Sequence, residues 1–74
     1  MVKATSVTNN IRALRAATGE MTQADLAERI GVTRQTIIAI EQSRYSPSLE
    51  VAFQIAREFN VSLDEVFQYG GQQS

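Results

Sequence analysis

The sequence predicts an all-α fold in which five short helices pack around one small core. Helix start and stop signals recur about every ten to fifteen residues. No alternating β-branched run is long enough for a strand, and no Asn-Gly or Asp-Gly hairpin turn occurs. The 74 residues, 43% hydrophobic and 20% charged, have the balance of a single globular domain.

The first two helices are predicted from their capping residues and stops. The first begins near Thr8 or Asn9 and ends at Gly19. The second opens with a capping box at 22–25 and ends at Gly31. The residues expected to face inward are Ile11, Leu14 and Thr18 in the first helix and Leu26, Ala27 and Ile30 in the second.

The other three helices follow from the same signals. Thr33 is the expected N-cap of the third helix, Ser48 precedes the fourth, and Ser62 opens the fifth with a second capping box. A connector separates the third and fourth helices, because Pro47 biases Ser46 away from helical geometry. The residues expected to face inward are Ile37 and Ile40 in the third helix, Leu49, Ala52, Phe53, Ile55, Ala56 and Phe59 in the fourth, and Leu63, Val66 and Phe67 in the fifth.

The residue types exclude several classes of function. Without cysteine or histidine, the chain lacks thiolate and imidazole metal ligands and the commonest general base. Lys3 is the single lysine and no glycine-rich phosphate loop is present, so no catalytic constellation can be assembled. No apolar run approaches the ~20 residues of a membrane span. We therefore expect a soluble intracellular protein that is not an enzyme and has no metal, cofactor, small-molecule ligand or membrane partner.

The charge is distributed unevenly along the chain. The net charge is −1, but the residues up to Arg44 carry +2 and those from Tyr45 onward carry −3. The first part of the chain is therefore the one suited to face a polyanion. Lys3 and Arg12 are expected to be solvated, with a flexible basic arm that reaches such a polyanion as the alternative.

The short connection between the second and third helices carries the most information. A helix-turn-helix unit needs two helices that cross steeply within a very short turn. In the segment 23–42, small Ala27 stands where the helices touch and Gly31 stands where the backbone must be left-handed. The five positions that must be apolar to seal the pair onto the core are Leu26, Ile30, Val32, Ile37 and Ile40. All seven requirements are met, so the sequence predicts a helix-turn-helix at 23–42.

The chain resembles the Cro/C1-type helix-turn-helix regulators of the lambda-repressor-like fold, also called the xenobiotic-response-element family. The similarity covers about residues 9–69 and extends to the small stand-alone bacterial members. The segments that carry it are 14–15, 21–27, 31–37, 40–41, 45–49 and 61–67. Two departures lie in loops: Glu20 is a one-residue insertion, and Ser43 replaces a usual glycine, so the end of the third helix is expected to be mildly strained or to close differently. Residues 1–8 are then a flexible N-terminal arm and residues 70–74 a frayed tail.

The resemblance implies that the third helix lies in the major groove of DNA while the second crosses the backbone. The candidate base-reading residues are Thr33, Arg34, Gln35, Thr36 and Ala39, and the candidate phosphate contacts are Gln23, Ser43 and Arg44. Arginine can donate two hydrogen bonds to guanine, at O6 and N7, and glutamine can make two hydrogen bonds with adenine, at N6 and N7. A solvated or phosphate-bound side chain remains the alternative for Arg34, and a polar surface position remains the alternative for Gln35.

Three further positions are interpreted through the family. The resemblance implies an ion pair between Arg15 and Glu41, with direct DNA contact by Arg15 as the alternative. Ile38 is expected to point outward, where such helices usually carry a polar residue. It either packs under Tyr45 or meets a thymine methyl, and the sequence does not decide between them.

The resemblance implies a sequence-specific double-stranded DNA-binding regulator, expected to be a repressor in the bacterial cytoplasm, associated with the nucleoid. One such module buries roughly 600–1,000 Å² on DNA, so a homodimer on a palindrome is expected. The candidate interface residues, which alternatively close the monomer core, are Phe59, Leu63, Phe67 and Tyr69. The competing function is a helix-turn-helix protein-interaction module, antitoxin-like or coactivator-like, whose main partner is a protein.

Overall fold

The computed structural model describes residues 5–44 and 46–70, which form five helices and two short strands. In chain order these are β1 (Val7–Asn9), α1 (Ile11–Ala17), α2 (Gln23–Ile30), α3 (Arg34–Glu41), α4 (Leu49–Phe59), α5 (Leu63–Val66) and β2 (Phe67–Tyr69). The predicted five-helix, lambda-repressor-like architecture is confirmed.

The two strands were not predicted. They pair antiparallel, with Val7 opposite Tyr69 and Asn9 opposite Phe67, and the N–H of Gly70 extends the pairing by donating to the carbonyl of Ser6 at 2.9 Å. Strands of three residues are too short to show an alternating pattern, and their pairing joins the two ends of the chain.

The sheet corrects three assignments of chain segments. Val7 and Thr8, expected in the flexible arm, belong to β1, and Gly70, expected in the frayed tail, donates its N–H to the carbonyl of Ser6 beside the sheet. Phe67, expected in the fifth helix, is the first residue of β2 because α5 ends at Val66. Residues 1–4 of the arm and 71–74 of the tail lie outside the described residues.

The core gathers side chains from all five helices. The buried hydrophobic residues are Ile11, Met21, Leu26, Ala27, Ile30, Ile37, Ile40, Ala52, Ile55, Ala56, Phe59 and Val66. Three residues predicted to face inward do not: Thr18 is exposed as the C-cap of α1, and Leu49 and Phe53 on α4 are 66% and 49% exposed. Both α4 residues lie at one edge of the wide apolar face that the sequence indicated, and α4 buries the other part of that face.

Side-chain caps fix where most of the helices begin. In α2 the Thr22 hydroxyl accepts from the N–H of Asp25 at 2.9 Å, and the Asp25 carboxylate accepts from the N–H of Thr22 at 3.2 Å. These hydrogen bonds hold the pKa of Asp25 below its ordinary value. The capping box therefore contributes most to stability above the unfolded-state pKa, and the contribution is lost as the pH falls through the lowered folded-state pKa.

Left-handed backbone appears at several helix ends. Gly31 and Asn60, which close α2 and α4, adopt it at low cost, with φ of 77° and 59°. Glu20 and Ser43 have φ of 57° and 58° although neither is of a type that favours this region. Among the residues that the structure describes, the two departures from the family pattern are thus the two positions where the loops carry backbone strain.

We predict that Ser43→Gly stabilises the protein. Glycine removes the steric cost of a left-handed Cβ, roughly 1 kcal/mol, and the N–H groups of residues 43 and 44 still donate to the carbonyls of Ile40 and Ala39. Thermal unfolding should show a midpoint several degrees higher than wild type. Ser43→Ala keeps the Cβ and is the matched control. An equal midpoint for the two variants would contradict strain at this position.

Candidate nucleic-acid interface

The turn between α2 and α3 sets the angle of the helix-turn-helix. Gly31 supplies the left-handed residue, and the N–H of Val32 donates to the carbonyl of Ala27 at 2.9 Å. Thr33 then caps α3 by accepting from the N–H of Thr36 at 3.2 Å. The seven positions predicted from spacing take their expected places: six are buried or packed on the core, namely Leu26, Ala27, Ile30, Val32, Ile37 and Ile40, and the seventh is Gly31.

The outward side of α3 carries the predicted base-reading residues. Arg34 and Gln35 are exposed in the first turn, whereas Thr36 and Ala39 are half-buried. The Thr33 hydroxyl lies 3.0 Å from that of Thr36. Because it caps the helix as well, Thr33 has a structural task that is independent of any contact with a base.

Gln42, the C-cap of α3, is exposed and shares the outward stripe with Gln35 and Ala39. The spacing i, i+4, i+7 puts these three side chains on one face of a helix. Gln42 therefore joins the candidate base-reading residues. Its position in the stripe was visible in the sequence, but the expectation that reading residues lie at the start of the helix passed over it.

Glu41, at the end of α3, is held by side chains from two other helices. Arg15 on α1 donates to both of its carboxylate oxygens, with Nε–Oε2 at 2.7 Å and the second bond at 3.1 Å. Gln23 on α2 donates its amide N–H to Oε1 at 3.1 Å. Arg15 also donates to the carbonyl of Met21 at 2.9 Å. The Arg15 and Glu41 side chains are only 14% and 8% exposed, so the pair is nearly desolvated.

This network changes the reading of Gln23. The residue was expected to face a phosphate, and in the structure one of its amide N–H groups donates to Glu41. An amide nitrogen has a second N–H, so a phosphate contact by Gln23 would be made from a side chain already fixed in place. The ion pair thereby sets the orientation of a candidate DNA contact.

Asn9 fixes the same end of α3 from the sheet. Its Nδ2 donates to the carbonyl of Ile40 at 2.9 Å and to that of Glu41 at 3.4 Å, while its Oδ1 accepts from the N–H of Ile11 at 3.1 Å. One side chain therefore caps the start of α1 and the end of α3. The sequence suggested only the first of these roles, because the second joins residues 31 positions apart.

The segment after α3 offers two predicted phosphate contacts. Ser43 is half-buried and Arg44 is exposed. Their backbone N–H groups are used within the protein, since they donate to the carbonyls of Ile40 and Ala39. Only the side chains of these two residues are thus available as predicted contacts. Tyr45, one suggested neighbour of Ile38, lies outside the described residues.

A shallow depression runs along this side of the molecule between α1, the start of α2, and α3. Arg12 and Arg34 both line it, and Glu20 lies at the same surface. Arg12 was expected to be solvated, with a basic arm that reaches DNA as the alternative. The structure puts its guanidinium charge in the same depression as that of the candidate base-reading residue Arg34.

The four candidate interface residues separate into two groups. Phe59 is buried and Phe67 packs against the core, so these two close the monomer. Leu63 is half-buried, and Tyr69 is 82% exposed. Val7, Leu63, Phe67 and Tyr69 border a mainly apolar groove beside α5 and the sheet.

Two helices joined by a three-residue turn, the second with Arg34 and Gln35 exposed in its first turn, are the layout of a helix-turn-helix DNA-binding domain. A family model described as helix-turn-helix matches residues 11–66. The chain belongs to the Cro/C1-type helix-turn-helix family, a family of DNA-binding transcriptional regulators.

The relatives come from both archaea and bacteria. An uncharacterized HTH-type transcriptional regulator of Methanocaldococcus jannaschii is 55% identical over 49 residues, which are 66% of this chain and 74% of the relative. The uncharacterized HTH-type transcriptional regulator YgzD of Bacillus subtilis is 44% identical over 80% of this chain and 88% of its own length.

Two solved structures share the fold. A Bacteroides fragilis protein, named as a candidate DNA-binding protein, has a TM-score of 0.71 and 26% identity, over 84% of this chain and 98% of the other. The hypothetical transcription factor NHTF from Neisseria has a TM-score of 0.69 and 27% identity, over 76% of this chain and 62% of the other.

Within the described residues, no helix is long and apolar enough to cross a membrane.

We predict that Arg15→Ala strongly destabilises the protein. Removing the arginine leaves the Glu41 carboxylate nearly buried without its cation, which costs about 3 kcal/mol or more. In a domain of this size that is a large part of the total stability. Urea or thermal unfolding measures the loss.

Arg29→Ala is the matched control, because Arg29 makes the other ion pair found among the described residues. It bonds Glu58 at 2.9 Å with more than half of its side chain exposed, so its loss should cost less than about 1 kcal/mol. If Arg15→Ala unfolded at the wild-type midpoint and only its DNA binding weakened, the structural role of the pair would be wrong.

Proposed function

We propose that the protein binds double-stranded DNA sequence-specifically as a homodimer, with α3 in the major groove of each half-site. The observation that carries the proposal is the exposure of Arg34 and Gln35 in the first turn of α3, combined with the fixation of its far end by Arg15, Gln23 and Asn9. Preorganised donors and acceptors lose little conformational freedom on binding. Such a helix is suited to discriminate base edges rather than to adapt to any surface.

The phosphate contacts in this proposal come from both sides of α3. Gln23 at the start of α2 and the side chains of Ser43 and Arg44 after α3 are the proposed contacts, with Arg12 as an addition from the structure. The net charge of −1 leaves binding to these few local groups. Affinity should fall with salt by about 0.9 logarithmic units per neutralised phosphate, less steeply than for a strongly basic protein.

Repression is the proposed outcome of binding. A protein that covers an operator overlapping a promoter competes with RNA polymerase for the same DNA, and no additional surface is needed for that effect. We place this activity in the cytoplasm, on the nucleoid. Transcription from a template that carries the selected operator within the promoter would decrease as the protein is added.

Selection of bound sequences from a random DNA pool tests the base-reading part of the proposal. With the preferred site known, Arg34→Ala should cost about 1–3 kcal/mol and relax the preference at one base pair. Arg44→Ala is the comparison, because a phosphate contact should be lost equally on all sequences. A uniform loss for Arg34→Ala as well would show that Arg34 contacts only phosphate.

The homodimer part of the proposal rests on the groove beside β2. Tyr69→Asp should leave the fold intact, since the side chain is 82% exposed, but should separate the copies and abolish binding to an inverted repeat whose half-site centres lie about 10 base pairs apart. Phe67 is unsuitable for this test because it packs against the core. Phe53→Asp places the same charge on another exposed aromatic residue and is the control.

Analytical ultracentrifugation and footprinting report the two effects. Wild type and Phe53→Asp should sediment as dimers and protect both half-sites. If the wild-type protein sediments as a monomer at high concentration and protects a single half-site, the homodimer is wrong.

A protein-interaction module is the second candidate function. The observation that favours it is the pair of exposed apolar residues Leu49 and Phe53, four positions apart on α4. Their spacing puts them on the same side of the helix. Sequence-specific DNA binding by the purified protein alone would favour the first function, whereas DNA binding that appears only with a protein partner would favour this one.

A further inference from the structure

Ile38 places a branched aliphatic side chain on the outward side of α3. Gln35, Ile38, Ala39 and Gln42 follow one another at i, i+3, i+4 and i+7, which aligns them in one stripe along the helix. Ile38 is half-buried. This stripe is the surface that the proposed function presents to base edges.

Packing against the core of the described residues does not account for Ile38. It lies outside the buried core cluster and is also not among the partly buried hydrophobic residues packed against that cluster, which are Leu14, Val32, Val51, Val61 and Phe67. Its neighbours Ile37 and Ile40 are fully or almost fully buried. Within residues 5–44 and 46–70, the aliphatic group of Ile38 therefore lies on the outward side of α3 and takes no part in the core cluster.

The chemistry of the major groove restricts what such a group can recognise. Base edges there offer hydrogen-bond donors and acceptors at every base pair, and the single apolar group is the C5 methyl of thymine. An aliphatic side chain placed over a polar edge removes water without supplying a partner, which is unfavourable. Placed over a methyl group, the same side chain gains from apolar burial.

We propose that Ile38 is a specificity-determining residue that recognises one thymine methyl in each half-site. This inference rests on the proposed placement of α3 in the major groove. Gln35 and Gln42 flank Ile38 along the stripe, so the preferred thymine lies between the base pairs that the two amides reach. Ile38 thereby selects against cytosine or a purine at that position without making a hydrogen bond.

Other methyl groups on α3 are less suited to this contact. The hydroxyls of Thr33 and Thr36 lie 3.0 Å apart, and Thr33 is committed to capping the helix, so both side chains are tied to the helix start. Ala39 extends only one carbon from the backbone. Ile38 offers the largest aliphatic surface in the stripe.

Deoxyuridine substitution tests the contact, because uracil differs from thymine only by the missing methyl. The probe is the inverted repeat recovered from a random DNA pool with wild-type protein, with each thymine replaced in turn by deoxyuridine. For wild type, one position per half-site should weaken binding by about fourfold when changed. Changing it in both half-sites should weaken binding by about fifteenfold.

The variant Ile38→Ala should bind the thymine and uracil forms of that position with equal affinity. Alanine favours the helix, and Ile38 is not packed on the core, so the fold should be retained. Gln54→Ala changes an exposed side chain of α4 that belongs to none of the proposed binding surfaces and should keep the wild-type ratio. The thymine-to-uracil ratio reports the methyl contact itself, which a general loss of stability would not alter.

Three outcomes would overturn the inference while leaving the proposed function intact. One is tight palindrome binding by wild type with no effect of deoxyuridine at any position. The second is an unchanged ratio in Ile38→Ala. The third is that Thr36→Ser, which removes a methyl and keeps the hydroxyl, binds the thymine and uracil forms with equal affinity, whereas Ile38→Ala still prefers thymine. Failure of the pool to yield any preferred sequence would instead contradict the proposed function.

Discussion

The rest of the interface depends on the hydrogen-bonded ion pair between Arg15 and Glu41. It links the first helix to the end of the candidate recognition helix across 26 positions of the chain, at 2.7 Å and with little exposure to water. A nearly buried carboxylate is stable only while its cation and further donors remain. Because Gln23 completes the set of donors, the pair fixes all three helices of the interface relative to one another.

The sheet extends this constraint to the two ends of the chain. Asn9 lies in β1, pairs with Phe67 in β2, and donates to the last carbonyls of α3. The orientation of α3 is thus connected through one side chain to the strand that carries Tyr69. In the proposed dimer, the same strand would hold two recognition helices at the spacing of one turn of DNA. Because each copy is rigid, such a dimer would bind only those pairs of half-sites that have this spacing.

The sequence predicted the local features well because each rests on a few neighbouring residues. Gly31, the caps at Thr22 and Thr33 and the buried positions of the helix-turn-helix follow from backbone geometry and periodicity. The sheet and the second role of Asn9 depend on contacts between distant segments, which no local pattern records. Leu49 and Phe53 show the same difficulty, since periodicity defines an apolar face but not how much of it a neighbouring helix covers. The Arg15–Glu41 pair was expected only through the family resemblance.

Groove-resolved methylation interference on the selected operator tests most directly whether α3 reads the major groove. Dimethyl sulfate methylates guanine N7 in the major groove and adenine N3 in the minor groove. The account predicts interference from guanine N7 in two clusters about 10 base pairs apart, with no interference from adenine N3 within those clusters. Interference confined to adenine N3, or the absence of any interference on a bound operator, would contradict the placement of α3 in the major groove.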